Sequence, residues 1–156
     1  MTSDPKATDK TPGKAPESPT ESIEYILVAE DSPHNRNILT HLLKKMGFEV
    51  KEAADGEAAW ELLEASHAKG DKIAAIFSDI MMPKMSGLQL LEKVRQSPNY
   101  KDVKFVLLTA VLEKEYVIQA KTNNVNGYLL KPITYDKMCK KMLEFYPNKI
   151  FPKLKA

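Results

Sequence analysis

Five polar residues in this chain have types that could do chemistry together if a fold gathered them: Glu30, Asp31, Asp79, Thr109 and Lys131. Three carboxylates drawn to one point repel one another by about 4 kcal/mol per pair at 4 Å in an effective dielectric near 20. Such a cluster needs a cation. With oxygen ligands only, and no His or Cys beside them, the expected ion is a hard one that keeps several waters, so Mg²⁺ fits better than Zn²⁺. A carboxylate can also act as a nucleophile and become an aspartyl phosphate. Asp79 is the candidate for that role because it ends the central strand, which leaves Glu30 and Asp31 to hold the metal. Lys131 offers a point charge for phosphoryl oxygens, and the Thr109 hydroxyl can donate a hydrogen bond to one of them. Taken singly, each residue has a plainer reading: an acidic pair at a helix start, a turn aspartate, a strand-end threonine.

An alternation of short β-rich runs with helical patterns is what could position them, and it predicts a parallel sheet. Tyr25 to Ala29 reads as a strand. Ser32 then caps a helix with Pro33 at its first position, which carries Ile38, Leu39, Leu42, Leu43 and Met46 on one face and stops at Gly47. Phe48 and Val50 alternate with Glu49 and Lys51 as a half-exposed second strand. A turn at Asp55-Gly56 leads to a helix with Ala58, Ala59, Leu62 and Leu63. Ile73 to Phe77 is a continuous apolar run, as a strand covered on both faces should be. A loop from Ile80 to Gly87 precedes a helix with Leu88, Leu91 and Val94. Val103 to Leu108 is the fourth strand, Glu113 to Asn123 a weaker helix and Gly127 to Leu130 the fifth strand. Tyr135, Met138, Cys139 and Met142 mark a last helix that Pro147 ends.

Glu30 and Asp31, Asp79, Thr109 and Lys131 therefore all stand at strand carboxyl ends. In an open parallel sheet of order 2-1-3-4-5, the crevice outside those ends between strands 1 and 3 is the expected binding site. That order is borrowed from known doubly wound sheets.

The chain has 156 residues, with 23 Lys+Arg against 21 Asp+Glu, one domain's worth of ordinary globular composition. Its apolar runs fall far short of the roughly 20 residues needed to span a bilayer. Residues 1–22 hold four prolines among Ser, Thr, Lys and Glu and read as a disordered tail or linker. The other 134 residues carry a net +3, too mild for a nucleic-acid surface. A single cysteine, Cys139, and no apolar leader point to the cytoplasm.

The runs Val28-Ala29-Glu30-Asp31-Ser32-Pro33, Ser78-Asp79-Ile80-Met81-Met82-Pro83-Lys84-Met85-Ser86-Gly87, Thr109-Ala110 and Gly127-Tyr128-Leu129-Leu130-Lys131-Pro132 together resemble the receiver domain of two-component response regulators. The likeness covers about residues 23–147, leaving 148–156 as a C-terminal extension. It implies an α/β fold, flavodoxin-like and CheY-like, with a five-stranded parallel sheet of order 2-1-3-4-5 and helices on both faces. It further implies that Asp79 accepts a phosphoryl group from a histidine kinase or histidine phosphotransfer protein. Glu30, Asp31, Asp79 and the backbone carbonyl of Met81 would hold Mg²⁺, and Thr109 and Lys131 would contact the phosphoryl group. Tyr128 matches the switch aromatic that turns inward with Thr109. Lys131-Pro132 would be cis, strand 4 to helix 5 would form the face for a downstream protein target, and a phosphorylation-dependent homodimer is open. Glu30 stands where many relatives carry Asp, and both occur.

Two other readings follow the same residues. A receiver-fold scaffold that is never phosphorylated would have lost an acid or the lysine, and none is missing here. A haloacid-dehalogenase-type phosphatase needs a second acid two positions after its nucleophile, where Met81 stands. A stand-alone receiver is expected if the chain is complete, and a receiver piece of a hybrid kinase if it is not. His34, His41 and His67 are scattered, which argues against a catalytic histidine. Met81, Met82 and Met85 suit loop packing, and the lysines of the last helix and beyond suit a solvated face.

Overall fold

Five strands and five helices alternate along residues 23–152, the part of the chain that the computed structural model describes. They are β1 (Glu24–Ala29), α1 (Pro33–Lys45), β2 (Glu49–Ala53), α2 (Gly56–Lys69), β3 (Lys72–Asp79), α3 (Gly87–Arg95), β4 (Lys104–Thr109), α4 (Lys114–Thr122), β5 (Gly127–Leu130) and α5 (Tyr135–Phe145). The strands form one parallel sheet in the order β2-β1-β3-β4-β5, the expected order. The tail reading of residues 1–22 lies outside the described residues. Among the described residues no helix is long and apolar enough to cross a membrane.

The central strands alternate their side chains between two cores, as the two-residue period of a strand requires. Ile26, Val28, Ala75, Phe77, Val106 and Leu108 face one layer, where α1 brings Leu39 and Leu43 and α5 brings Met138 and Met142. Leu27, Ile76, Phe105 and Leu107 face the other, against Ala59 and Leu63 of α2 and Leu90, Leu91 and Val94 of α3. This double burial explains the unbroken apolar run of β3.

Local signals set the helix ends. The Ser32 hydroxyl accepts from Asn35 N at 3.3 Å with Pro33 at the first position of α1, Asp55 caps α2, and Ser86 and Gln89 form a reciprocal capping box on α3. Helix α1 ends with Gly47 at φ 98°, the Gly47 amide bonded to Lys44 O and the Phe48 amide to Leu43 O. Phe48 therefore closes the helix, and β2 starts one residue later than its alternation suggests. Likewise β4 begins at Lys104, because the Val103 amide bonds to Tyr100 O in a turn.

Arg95, at the end of α3, ties together the loop before β4 and the loop before β5 through backbone carbonyls and one side chain. Its guanidinium donates to the carbonyls of Lys101, Val103, Asn123 and Asn124 and to Asn126 Oδ1, at 2.7–3.1 Å. Asn126 Oδ1 also accepts from the Phe105 amide at 2.7 Å, replacing a ladder partner where β4 begins. Burial pulls the guanidinium pKa below its ordinary value, against an upward pull from Asp102. Arg95→Leu is expected to cost about 2 kcal/mol, since hydrogen bonds to charged groups contribute about 1.5–3 kcal/mol and several carbonyls here can turn to water. Urea unfolding followed by far-UV circular dichroism measures it, and a loss below 0.5 kcal/mol would show that the loops hold without the arginine.

Beyond α5 the chain turns back on the domain. The rings of Tyr146 and Phe151 each lie 6.2 Å from that of Phe48, Lys149 Nζ sits 5.2 Å above the Phe48 ring, and the Tyr135 hydroxyl donates to Pro152 O. Of the stretch expected as an extension, Phe151 packs against the core while Ile150 stays 91% exposed.

Candidate functional site

Each strand end delivers one piece. Glu30 leaves β1 with its amide bonded to Ala53 O of β2 at 3.1 Å and its carbonyl accepting from Arg36 Nη1 at 2.7 Å. Its carboxylate is 1% exposed: Oε2 accepts from the Ser32 amide and Oε1 from Lys131 Nζ, both at 3.1 Å. Asp31 follows, exposed to solvent.

Asp79 is the last residue of β3 and pairs with Leu108 in the ladder, so its backbone is pinned and its buried carboxylate emerges at the sheet edge. Asp79 Oδ1 accepts from the Ile80 amide at 2.9 Å and Oδ2 from Lys131 Nζ at 3.1 Å. Gly87 opens α3 directly against this strand end: its amide bonds to Ile80 O, and a Cβ there would lie 2.1 Å from Asp79 O. The residue type is dictated by that approach.

Lys131 is placed by its own amide, which bonds to Thr109 O at 2.8 Å, and the Lys131–Pro132 peptide is cis. Its ammonium joins Glu30 and Asp79 across 101 and 52 residues of sequence. Burial pulls the Lys131 pKa down, but the hydrogen bonds and charges of Glu30 and Asp79 together outweigh it, and the net shift is upward. One ammonium therefore bridges two carboxylates.

Glu30, Asp31 and Asp79 each bring one oxygen to within 4.8 Å of the others. Opposite ligands of one Mg²⁺ are separated by about 4.2 Å, twice its ligand distance. A set held within 4.8 Å is of the size that direct ligation, or one bridging water, can span, as suits an ion that keeps its waters. The all-oxygen donors and surplus negative charge fit that ion.

The side chains of the other expected residues are engaged with their own loop or with α4. Thr109 Oγ1 donates to Val111 O at 2.6 Å and accepts from the Val111 amide at 3.3 Å, so the hydroxyl is turned onto its own loop. The Tyr128 hydroxyl donates to Val117 O of α4 at 3.3 Å, and burial raises its pKa. The Met81 side chain is 65% exposed, and its sulfur accepts from the Tyr116 hydroxyl of α4 at 3.4 Å. Met82 and Met85 pack partly against the core, as expected of a loop. Neither Arg36 nor Gly87 stands out in the sequence as a site residue. Arg36 sits in an ordinary helical turn, and Gly87 reads only as the end of a loop.

Comparison with known proteins agrees with this geometry. The model of the response regulator receiver domain family matches residues 26–143. A chemotaxis protein CheY homolog of Campylobacter jejuni is 36% identical over 110 residues, covering 70% of this chain and 82% of that protein. The structure of Vibrio cholerae chemotaxis protein CheY4 superposes with a TM-score of 0.69 at 28% identity, over 79% of this chain and 98% of that one. A CheX-CheY-BeF3-Mg²⁺ complex from Borrelia burgdorferi shares the fold, with a TM-score of 0.70 at 22% identity over 78% of this chain and 88% of that one. With the strand order, the acidic edge and the family match in agreement, the chain belongs to the response regulator receiver domain family, the receivers of two-component signalling.

Proposed function

We propose that residues 23–147 are a receiver domain that takes a phosphoryl group on Asp79 from a histidine kinase or histidine phosphotransfer protein and passes the signal on as a change of shape. The observation that carries this is Lys131 Nζ held 3.1 Å from both Glu30 and Asp79, with Asp31 beside them. A cation already gathers the acids at the place where a second cation and a phosphoryl group would sit.

Asp79 is the nucleophile: one carboxylate oxygen forms the new O–P bond as the P–N bond of the donor histidine breaks. Glu30, Asp31, Asp79 and the carbonyl of Met81 are the residues that would hold Mg²⁺, which supplies charge neutralisation at the transferring phosphoryl oxygens when bound. Lys131 transfers its ammonium from the Asp79 carboxylate to a phosphoryl oxygen and so keeps its charge paired. Thr109 gives up Val111 O to donate to another phosphoryl oxygen. That rotation releases the loop before α4, and Tyr128, tied to α4 through Val117 O, follows it inward. Two packings of β4, α4, β5 and α5 then differ in population with phosphorylation, presenting a face to a downstream protein or to a second copy. In this reading the domain is a phosphoacceptor whose only reactions are its own phosphorylation and dephosphorylation, and its place is the cytoplasm.

The test is intact mass after incubation with acetyl phosphate, with and without Mg²⁺, on the wild type and Asp79→Asn. One phosphoryl adduct that requires both Mg²⁺ and Asp79 is the expected result. A folded wild type that gains no adduct would favour a scaffold that works without phosphorylation.

A further inference from the structure

We propose that Arg36, which takes no part in the chemistry, is the positioning residue that sets how tightly the acidic pocket holds its divalent cation, an inference that rests on the function proposed above. Arg36 is the fourth residue of α1, and its side chain reaches back over the strand end rather than out to solvent, with only 19% of it exposed. Nη1 donates to the Glu30 carbonyl at 2.7 Å, and Nε lies 3.4 Å from Glu52 Oε1 on β2. The guanidinium presents its donors at fixed angles, so the carbonyl and Glu52 together define one orientation.

The carbonyl it grips belongs to the peptide joining Glu30 to Asp31. With the Glu30 amide bonded to Ala53 O, the backbone of Glu30 is held on both sides by partners outside β1. The direction in which Asp31 leaves the strand follows from that hold. Asp31 needs it more than its neighbours do. Glu30 is aimed by Ser32 N and Lys131, and Asp79 by Ile80 N and Lys131. Among the described residues the Asp31 carboxylate has no hydrogen-bond or ion-pair partner, so its aim comes from its backbone.

A guanidinium near three carboxylates also has a second effect of opposite sign, since its charge repels an incoming cation. Glu52 at 3.4 Å offsets that charge, so orientation outweighs repulsion. Groups that orient metal ligands typically alter affinity by about 10- to 100-fold when removed.

The experiment titrates Mg²⁺ alone against wild type, Arg36→Lys and Arg36→Met, reading the concentration at half-maximal thermal stabilisation, and then measures the rate of phosphorylation by acetyl phosphate at saturating Mg²⁺. The expected result is a midpoint raised about tenfold or more in both variants, with the wild-type rate recovered at saturation. An unchanged midpoint with a lower melting temperature in metal-free buffer would make Arg36 a purely structural residue and overturn the proposal. A midpoint lower than wild type in Arg36→Met would overturn it in favour of charge repulsion. If Arg36→Met does not fold, Arg36→Lys decides alone, because it keeps the charge and repulsion predicts no change. A wild type that shows no Mg²⁺ stabilisation would instead overturn the metal reading beneath the proposal, which keeps the two failures apart.

Discussion

The substitution Gly87→Ala is expected to lower the melting temperature by about 10 °C, from a loss of about 3 kcal/mol at roughly 3–4 °C per kcal/mol for a domain of this size. An added Cβ would lie 2.1 Å from Asp79 O and 3.0 Å from Ser78 Oγ, separations at which something must move. What must move is main chain, because Asp79 is fixed by its ladder pairing with β4, and Gly87 by the bond from its amide to Ile80 O. Overpacking alone costs about 1–3 kcal/mol. The bond from Ser78 Oγ to Asp79 O, 2.9 Å long and buried, goes with it. The displaced Asp79 peptide also disturbs the Ile80 amide that aims the carboxylate, so the rate of phosphorylation should fall even at saturating Mg²⁺. Gly47→Ala is the control: its φ is 98° but its surroundings are open, so it carries backbone strain of about 1 kcal/mol without touching the site. Equal losses at the two positions, measured by thermal unfolding, would show that the close approach at Gly87 is not what fixes the residue.

Lys131→Met should cost about 2–3 kcal/mol at neutral pH. Removing one partner of a buried pair costs about 3–5 kcal/mol, and a lysine side chain 24% exposed belongs below that range. Glu30 and Asp79 are left buried and facing each other, so Mg²⁺ should bind this variant more tightly and restore more stability to it than to the wild type. That is the reverse of the effect expected at Arg36. The pH dependence has a definite sign. The folded pKa of Lys131 lies above its ordinary value of 10.5, so the stability it contributes is whole below that value and is lost only as pH rises through the higher folded one. The difference in unfolding free energy between wild type and variant should therefore stay level from pH 6 to 9 and shrink in strong alkali. A difference that vanishes between pH 7 and 9 would contradict the ion pairing seen here.

The elements were legible because they are written in local terms. Gly47 after an apolar helical stripe, Ser32-Pro33 before it and the unbroken run Ile73 to Phe77 each name one conformation without outside help. The strand order is a matter of which crossover packs where, and it came from resemblance. Within the site, Glu30, Asp31, Asp79 and Lys131 could be singled out because charged residues at strand ends are conspicuous. Arg36 and Arg95 could not, since a guanidinium bound to carbonyls 6 and 28 residues away looks, in sequence, like any helical arginine. The orientation of the Thr109 hydroxyl toward Val111 O is equally hidden, being a choice between rotamers of one side chain. Phe151 lies, in sequence, within the extension, and its packing on Phe48 depends on where α5 lets the chain turn.

The long reach of Lys131 bears on how the protein is made. Chains leave the ribosome amino end first and fold in that order, so β1 to β4 and their carboxylates emerge before the lysine that joins them across 101 residues. Strand β5 is short, lies at the sheet edge and pairs with β4 alone. Its docking brings in the ammonium that pairs Glu30 with Asp79, which gives a weak edge strand an electrostatic pull toward its place. A nascent chain halted short of residue 131 is left with three acids at one corner and without the ammonium that bridges two of them.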